Sequence, residues 1–237
     1  MAGLLPLTLT DAVVRRNGKT LMGPVSLTLG GEGITIIIGP NGSGKTTLLR
    51  AMHGLERLSG GAADWALPAH EANIRQAYVF QSPIVLRRTV LANLRFPLDL
   101  LGTPRSVANA AAVAWAQRIG LGRALDTQAA RLSGGERQKL ALARALIREP
   151  EVLFLDEPSA NLDGRSTREI EALLQQCQAA GTRIIMATHD MGQARRLAAD
   201  AIFMLSGHIH EKGPAEAFFG ASRTPELIAF LNGDIVE

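Results

Sequence analysis

The run Ile34-Thr35-Ile36-Ile37-Ile38 leads directly into Gly39-Pro40-Asn41-Gly42-Ser43-Gly44-Lys45-Thr46, and this junction constrains the fold more than any other stretch of the chain. Five successive β-branched residues read as a strand buried on both faces. Gly39, Gly42 and Gly44 allow the backbone to turn tightly and point its N–H groups inward. Thr47-Leu48-Leu49-Arg50-Ala51-Met52-His53 then reads as a helix ending near Gly54. A strand, a glycine-rich loop and a helix N-terminus in that order make a phosphate cradle. Lys45 reaches the β- and γ-phosphates, and the Thr46 hydroxyl is placed to hold the Mg²⁺ that accompanies them. The expected ligand is a nucleoside triphosphate.

The rest of the chain predicts a single α/β domain around this unit. Leu7 to Val14 and Val25 to Leu29 alternate about an Asn17-Gly18 turn, as early antiparallel strands would. Val152 to Leu155 and Arg183 to Ala187 are short continuous runs, suited to buried parallel strands. Val90 to Leu101 and Ser106 to Gly120 read as helical, with breaks expected at Pro97, Pro104 and Gly120. Ala201 to Leu205, the Ser206-Gly207 turn and His208 to Glu211 predict a terminal hairpin. With 237 residues and 46% apolar content the chain can bury a substantial core, and neither an internal repeat nor a long linker divides it.

Charge and cysteine usage exclude several classes. A net charge of +3, basic residues scattered in pairs such as Arg15-Arg16, Arg87-Arg88 and Arg195-Arg196, and few aromatics do not form a nucleic-acid-binding stripe, so no direct nucleic-acid contact is expected. Cys177 is the single cysteine, which rules out an internal disulfide and fits a reducing compartment. Met1 to Pro6 lacks a basic region followed by a signal-length apolar run, and no stretch approaches about 18 uninterrupted apolar residues. A membrane role is therefore expected to come through a partner.

Two further segments carry chemistry. Val152-Leu153-Phe154-Leu155 ends in Asp156-Glu157, placing two carboxylates at the carboxyl end of a buried strand, where ligands bind in open α/β sheets. Asp156 is assigned to the Mg²⁺ side, and Glu157 to the attacking water, as the base that orients or deprotonates it. Leu132-Ser133-Gly134-Gly135-Glu136 has capping-box spacing between Ser133 and Glu136. Its glycine pair exposes backbone N–H groups at a positive helix end, making a second anion site. Pro150 follows as a helix stop.

In this order and combination the chain resembles the ATP-binding subunits of ABC transporters over essentially its whole length. Gly39 to Thr46 matches the Walker A loop, Leu132 to Glu136 the signature motif, Val152 to Asp156 the Walker B strand, and Glu157 the catalytic base. Gln81, after Tyr78-Val79-Phe80, matches the glutamine loop that contacts Mg²⁺ and senses the membrane partner. Ser159-Ala160-Asn161-Leu162-Asp163 matches the loop that crosses the dimer, and His189, after Ile184-Ile185-Met186-Ala187-Thr188, the switch histidine. The resemblance implies a P-loop ABC nucleotide-binding domain across residues 1–237. It comprises a RecA-like core, an antiparallel β subdomain, and a helical signature subdomain inserted at about residues 83–148.

It also implies a site. Gly39, Pro40, Asn41, Gly42, Ser43, Gly44, Lys45, Thr46 and Thr47 would contact ATP; Thr46, Gln81 and Asp156 would serve Mg²⁺; and Glu157, His189, Lys45 and Gln81 would carry hydrolysis. Ser133, Gly134, Gly135 and Asp163 would reach the nucleotide across a head-to-tail pair of identical subunits, since one chain holds only one set of motifs. Where the family places an aromatic ring on adenine, this chain has Arg16, whose guanidinium plane can stack on a base without reading its hydrogen-bonding edge.

The implied setting is the cytoplasmic face of the inner membrane, with two transmembrane permease subunits and, indirectly, a solute-binding protein. The apolar stretch Ser82-Pro83-Ile84-Val85-Leu86 with Arg87-Arg88 is expected to lie where a permease helix docks. His53-Gly54-Leu55, Val79-Phe80-Gln81-Ser82-Pro83 and the closing Phe230-Leu231-Asn232-Gly233 resemble segments of tungstate importer ATPases. Phosphate, molybdate and polar amino acid import are the neighbouring alternatives. A non-transport ABC ATPase acting on nucleic acid or ribosomes is the alternative of another class, and it lacks the basic arm or coiled-coil insertion it would need.

Overall fold

A computed structural model describes residues 3–160 and 162–236; Asn161 of the dimer-crossing loop lies outside the described residues. The chain opens with β1 (Leu7–Arg16) and β2 (Lys19–Leu29), paired antiparallel so that Leu7 faces Leu29 and Arg16 faces Lys19. Asn17 and Gly18 both adopt positive φ, as a tight two-residue hairpin turn needs. β4 (Gly60–Trp65) adds to the other edge of β1, giving a three-stranded sheet in the order β2-β1-β4.

The second sheet has the order β5-β6-β7-β3-β8-β9, built from β3 (Ile34–Ile38), β5 (Gln76–Val79), β6 (Val152–Asp156), β7 (Arg183–Ala187), β8 (Asp200–Leu205) and β9 (His208–Pro214). Every residue of β3, β6 and β7 is buried, which is why their sequences run continuously instead of alternating. Their side chains still alternate between two faces. Ile36, Ile38, Leu153, Leu155, Ile184 and Met186 join one core, while Ile37, Phe154 and Ile185 join a second with β1, β2 and Leu48 and Leu49 of α1 (Lys45–His53). Ile37 and Asp156 both pair with Ala187 in the parallel ladder. The carboxyl ends of three strands therefore coincide, and the loops that follow them leave the sheet at one place.

α2 (Ala69–Arg75) leads into β5, and between β5 and β6 lie α3 (Val90–Leu100), α4 (Arg105–Arg118) and α5 (Gly134–Leu146). Pro97 does not break α3 as expected but sits inside it. The missing N–H costs a helical hydrogen bond, on the order of 3 kcal/mol. The Arg95–Asp99 ion pair at 2.9 Å spans the defect, and packing of α3 on α4 and α5 holds the helix together. Asn93, fully buried, binds the preceding loop to α3: its Oδ1 accepts from Leu86 N–H, and its Nδ2 donates to the Leu86, Arg88 and Thr89 carbonyls. The terminal hairpin forms as β8 and β9, and α8 (Ala215–Gly220) and α9 (Pro225–Asn232), helices not expected from the sequence, follow it.

Candidate functional site

The loops after β3, β6 and β7 line one cavity of about 720 Å³, together with Gln81 from the loop after β5. Its wall includes Asn41, Gly42, Gly44, Lys45, Thr46 and Thr47. Gln81, Glu157 and His189 also line it, with Ala160, and Leu21 joins the wall beside Gly44.

Gly39 is required by close approach: a Cβ there would stand 2.1 Å from the Met204 carbonyl oxygen, at a φ of 149°. Lys45 is buried, and its Nζ donates to the Gly39 and Pro40 carbonyls at 2.8 and 2.9 Å. Burial lowers the Lys45 pKa, opposed by the negative charges of Glu157 and Asp156. The ammonium is thus held across its own loop on borrowed carbonyls, ready to exchange them for a stronger anionic partner.

Thr46 Oγ1 donates to Asp156 Oδ1 at 2.9 Å, and the Tyr78 hydroxyl donates to Asp156 Oδ2 at 3.2 Å. Burial raises the Asp156 pKa, and these two hydrogen bonds oppose it. Burial first, and then the Asp156 charge, raises the Tyr78 phenol far above its ordinary value, so it stays a donor. Thr46 and Asp156 present hard oxygen ligands side by side, with Thr46 on the cavity wall. Among the described residues no cluster of three or more His, Cys, Asp or Glu side chains converges. The paired Thr46 and Asp156 oxygens fit Mg²⁺, which binds through one or two protein oxygens plus phosphates and water.

Glu157 has a φ of 48°, a left-handed conformation uncommon for a residue with a side chain. Its N–H donates to the Ala187 carbonyl at 3.0 Å, which carries the β6–β7 pairing one residue past the strand and turns the carboxylate out of the sheet. Glu157 Oε2 accepts from Gln81 Nε2 at 3.1 Å and contacts His189 Nδ1 at 3.0 Å. An ionised carboxylate places the imidazole proton on Nδ1. Three side chains from three different loops therefore meet on one oxygen.

The other residues singled out in the sequence lie away from this cavity. Ser133 caps α5: its Oγ accepts from Glu136 N–H at 3.3 Å, and Glu136 Oε2 accepts from Ser133 N–H at 2.8 Å. Gly134 is exposed, with open space where a Cβ would be, whereas a Cβ on Gly135 would stand 2.8 Å from Ser166 Oγ of α6 (Gly164–Ala179). Asp163 is the N-cap of α6, its Oδ1 accepting from Ser166 N–H at 2.7 Å. Arg16 also stands outside. Its NH2 lies 2.9 Å from both Glu56 carboxylate oxygens, and Leu21, not Arg16, forms the cavity wall on that hairpin. Leu21 and Tyr78 escaped sequence reasoning because each reads as an ordinary strand residue; only the folded register brings Leu21 to the cavity and the Tyr78 hydroxyl to Asp156.

A phosphate cradle at the carboxyl end of a parallel sheet, a paired threonine and aspartate, and a glutamate beyond the strand define a P-loop nucleotide-binding domain. The chain belongs to the ABC transporter family, whose sequence pattern matches residues 22–160. It is 35% identical over 217 residues to the tungstate uptake system ATP-binding protein TupC of Peptoclostridium acidaminophilum, covering 91% of this chain and 100% of that protein. It is 33% identical over 251 residues to the histidine/lysine/arginine/ornithine transport ATP-binding protein HisP of Escherichia coli, covering 97% and 98%. A solved structure of an ATP-binding subunit of an ABC transporter superposes with a TM-score of 0.83 over 96% of this chain and all of that one, at 22% identity, which supports the fold.

Proposed function

We propose that the chain hydrolyses ATP as the nucleotide-binding subunit of an importer for a small solute, with an oxyanion such as tungstate as the cargo class. The observation that carries hydrolysis is the convergence of Gln81 and His189 on Glu157 at the rim of the phosphate cavity. Lys45 and the loop N–H groups take up phosphate charge. Thr46 and Asp156, with Gln81, would hold Mg²⁺, which neutralises charge on the transferring phosphoryl group. With Oε2 engaged by Gln81 and His189, Glu157 keeps Oε1 to accept a proton from the attacking water.

Ser133, Gly134 and Gly135 do not line the cavity of their own chain, and Ser133 and Gly134 are exposed. A second copy placed head to tail brings the α5 N-terminus of each subunit to the phosphates of the other, and gives Asp163 its place at the same interface. ATP then bridges the pair, and loss of the γ-phosphate contact opens it.

Docking to a permease is supported by an apolar groove of about 510 Å³ between the sheet edge and the helical lobe, whose lining includes Phe80, Leu86, Phe96, Pro97, Leu100 and Leu101. Leu100 and Leu101 are 72% and 55% exposed, and Ile84 beside the groove is 58% exposed. Among the described residues no helix is long and apolar enough to cross a membrane. A short amphipathic helix of a permease subunit would cover this surface, so that the pair meets two such subunits at the cytoplasmic face of the inner membrane and is coupled indirectly to a solute-binding protein.

Import is favoured by the relatives' printed roles, and tungstate by the full-length match to TupC. Import of a polar amino acid is the second reading, because HisP matches nearly as well. ATP-dependent uptake by the reconstituted complex, offered tungstate, molybdate, phosphate and histidine in turn, separates the two: accumulation of histidine but no oxyanion removes the tungstate reading. In the same assay I84D and L100D are expected to lower uptake at least about tenfold, the cost of a desolvated charge in an apolar interface. Nucleotide binding by the free subunit should remain. Normal uptake by both variants would place the docking surface elsewhere.

Arg16 supports a further part of this reading. Anchored by Glu56, its planar guanidinium offers a stacking face to adenine without reading the base edge. R16A is expected to weaken ATP and GTP to the same extent, by a few-fold. Unchanged affinity for both nucleotides, measured by equilibrium titration, would make Arg16 a surface ion-pair partner and nothing more.

A further inference from the structure

Glu157 and His189 stand on separate loops, and one buried amide ties those loops together. Gln193, on α7 (Met191–Leu197), has no exposed surface. Its Oε1 accepts from Ser159 Oγ and from Thr188 Oγ1, each at 3.0 Å. Ser159 lies two residues after Glu157, and Thr188 immediately precedes His189.

The polarity of this arrangement is fixed from behind. Gln193 Nε2 donates to Glu171 Oε1 at 3.3 Å, and Glu171, itself buried on α6, is gripped by Arg196 through Nε and NH2 at 3.0 and 2.7 Å. A carboxylate paired with a guanidinium cannot donate, so the amide nitrogen must face Glu171 and the amide oxygen must face the loops. Both hydroxyls are then forced to donate to the same oxygen. The Gln193 N–H donates to Asp190 Oδ1 at 2.9 Å, and the Asp190 N–H donates to Thr188 Oγ1 at 3.1 Å, so the loop carrying His189 is tied at both ends. A buried polar group is tolerated when it is satisfied, and each partner here belongs to, or braces, a loop that carries a group of the hydrolytic site.

We infer that Gln193 is a positioning residue for ATP hydrolysis: by gathering Ser159 and Thr188 on one carbonyl oxygen it sets the separation of Glu157 and His189. This rests on the reading of Glu157 as the base. Gln193 is fully buried and does not line the cavity, so it acts through the residues it holds. A shift of the Glu157 carboxylate by about 1 Å costs on the order of 10²-fold in rate while leaving the phosphate loop as it was.

The test is steady-state ATP hydrolysis by the full chain, with kcat and KM separated. Q193M keeps volume and removes both the acceptor and the donor; kcat is expected to fall about 10²-fold with KM for ATP within about threefold of wild type. Q193E should fall comparably, because its carboxylate faces Glu171. The exchange Q193E/E171Q restores a donor opposite an acceptor and should recover kcat to within about tenfold. Wild-type kcat in Q193M would overturn the inference. So would a joint fall of kcat, nucleotide affinity and melting temperature that the exchange does not repair, since that marks a purely structural residue. If Q193M does not fold, S159A and T188V carry the test: each should lower kcat and their effects should not add, whereas neutral or additive effects overturn it. E157Q separates the two levels. Near-normal turnover in E157Q removes the base assignment and this inference with it, while an inactive E157Q beside a fully active Q193M removes this inference alone.

Discussion

E157Q is expected to bind ATP as the wild type does and to lose hydrolysis by roughly 10²- to 10⁴-fold, the range a positioned general base contributes. Glutamine has the same length and shape as glutamate and tolerates the 48° φ no worse, so the turn beyond β6 should persist. Its amide oxygen still accepts from Gln81 or His189. What it lacks is a second basic oxygen: an amide cannot take the proton of the attacking water. With ATP bound and not consumed, the head-to-tail pair should accumulate in its closed form, visible as an ATP-dependent dimer on size-exclusion chromatography. Phosphate release at saturating ATP measures the chemistry. If E157Q hydrolyses ATP at a near-normal rate, the proton goes to His189 or to the γ-phosphate itself, and Glu157 merely orients its neighbours.

The motifs that place this site were legible because each joins a strong local signal to a chemical one. The all-buried β3 and β6 announce themselves as continuous apolar runs, and the residues that leave their ends, Gly39 to Lys45 and Asp156-Glu157, are of types that seldom follow such strands without a ligand. The α5 cap was legible for the same reason, since Ser133 and Glu136 encode their mutual hydrogen bonds in a spacing of three. Contacts made by register and not by spacing were not legible. Tyr78 lies 78 residues from Asp156, and Gln193 lies 34 from Ser159; no local pattern carries either pairing.

Pro97 shows a different limit. Its local rule predicts a break, and the fold overrides it because α3 is held by its neighbours in the helical lobe and by the Arg95–Asp99 pair across the proline. Arg16 shows a third. Motif alignment assigns it a role beside adenine, but no local spacing announces its ion pair with Glu56, 40 residues away.

K45A should fail at the step that E157Q leaves intact. The Lys45 ammonium donates to the Gly39 and Pro40 carbonyls, and the charges of Glu157 and Asp156 oppose the pull of burial on it. Phosphate oxygens would replace those carbonyls with charge-assisted bonds, worth about 1.5–3 kcal/mol each, so truncation is expected to weaken ATP binding by about 10²-fold or more. The free protein should change less. Removing a buried cation leaves two carbonyls short of a donor but also removes a desolvation penalty, and these effects oppose each other. The contrast is clearest in thermal unfolding. A ligand at about a hundred times its Kd stabilises by about 2.7 kcal/mol, so wild type and E157Q should melt higher with Mg-ATP than without. K45A, then at about its own Kd, should gain no more than about 0.4 kcal/mol and melt at nearly the same temperature in both conditions. K45R tests whether charge alone suffices: the broad guanidinium does not fit a slot shaped for a single ammonium between Gly39 and Pro40, and its ATP-induced shift should be largely lost as well. A full shift in K45A would mean that the loop N–H groups carry the phosphates unaided, and that Lys45 serves the chemistry and not the binding.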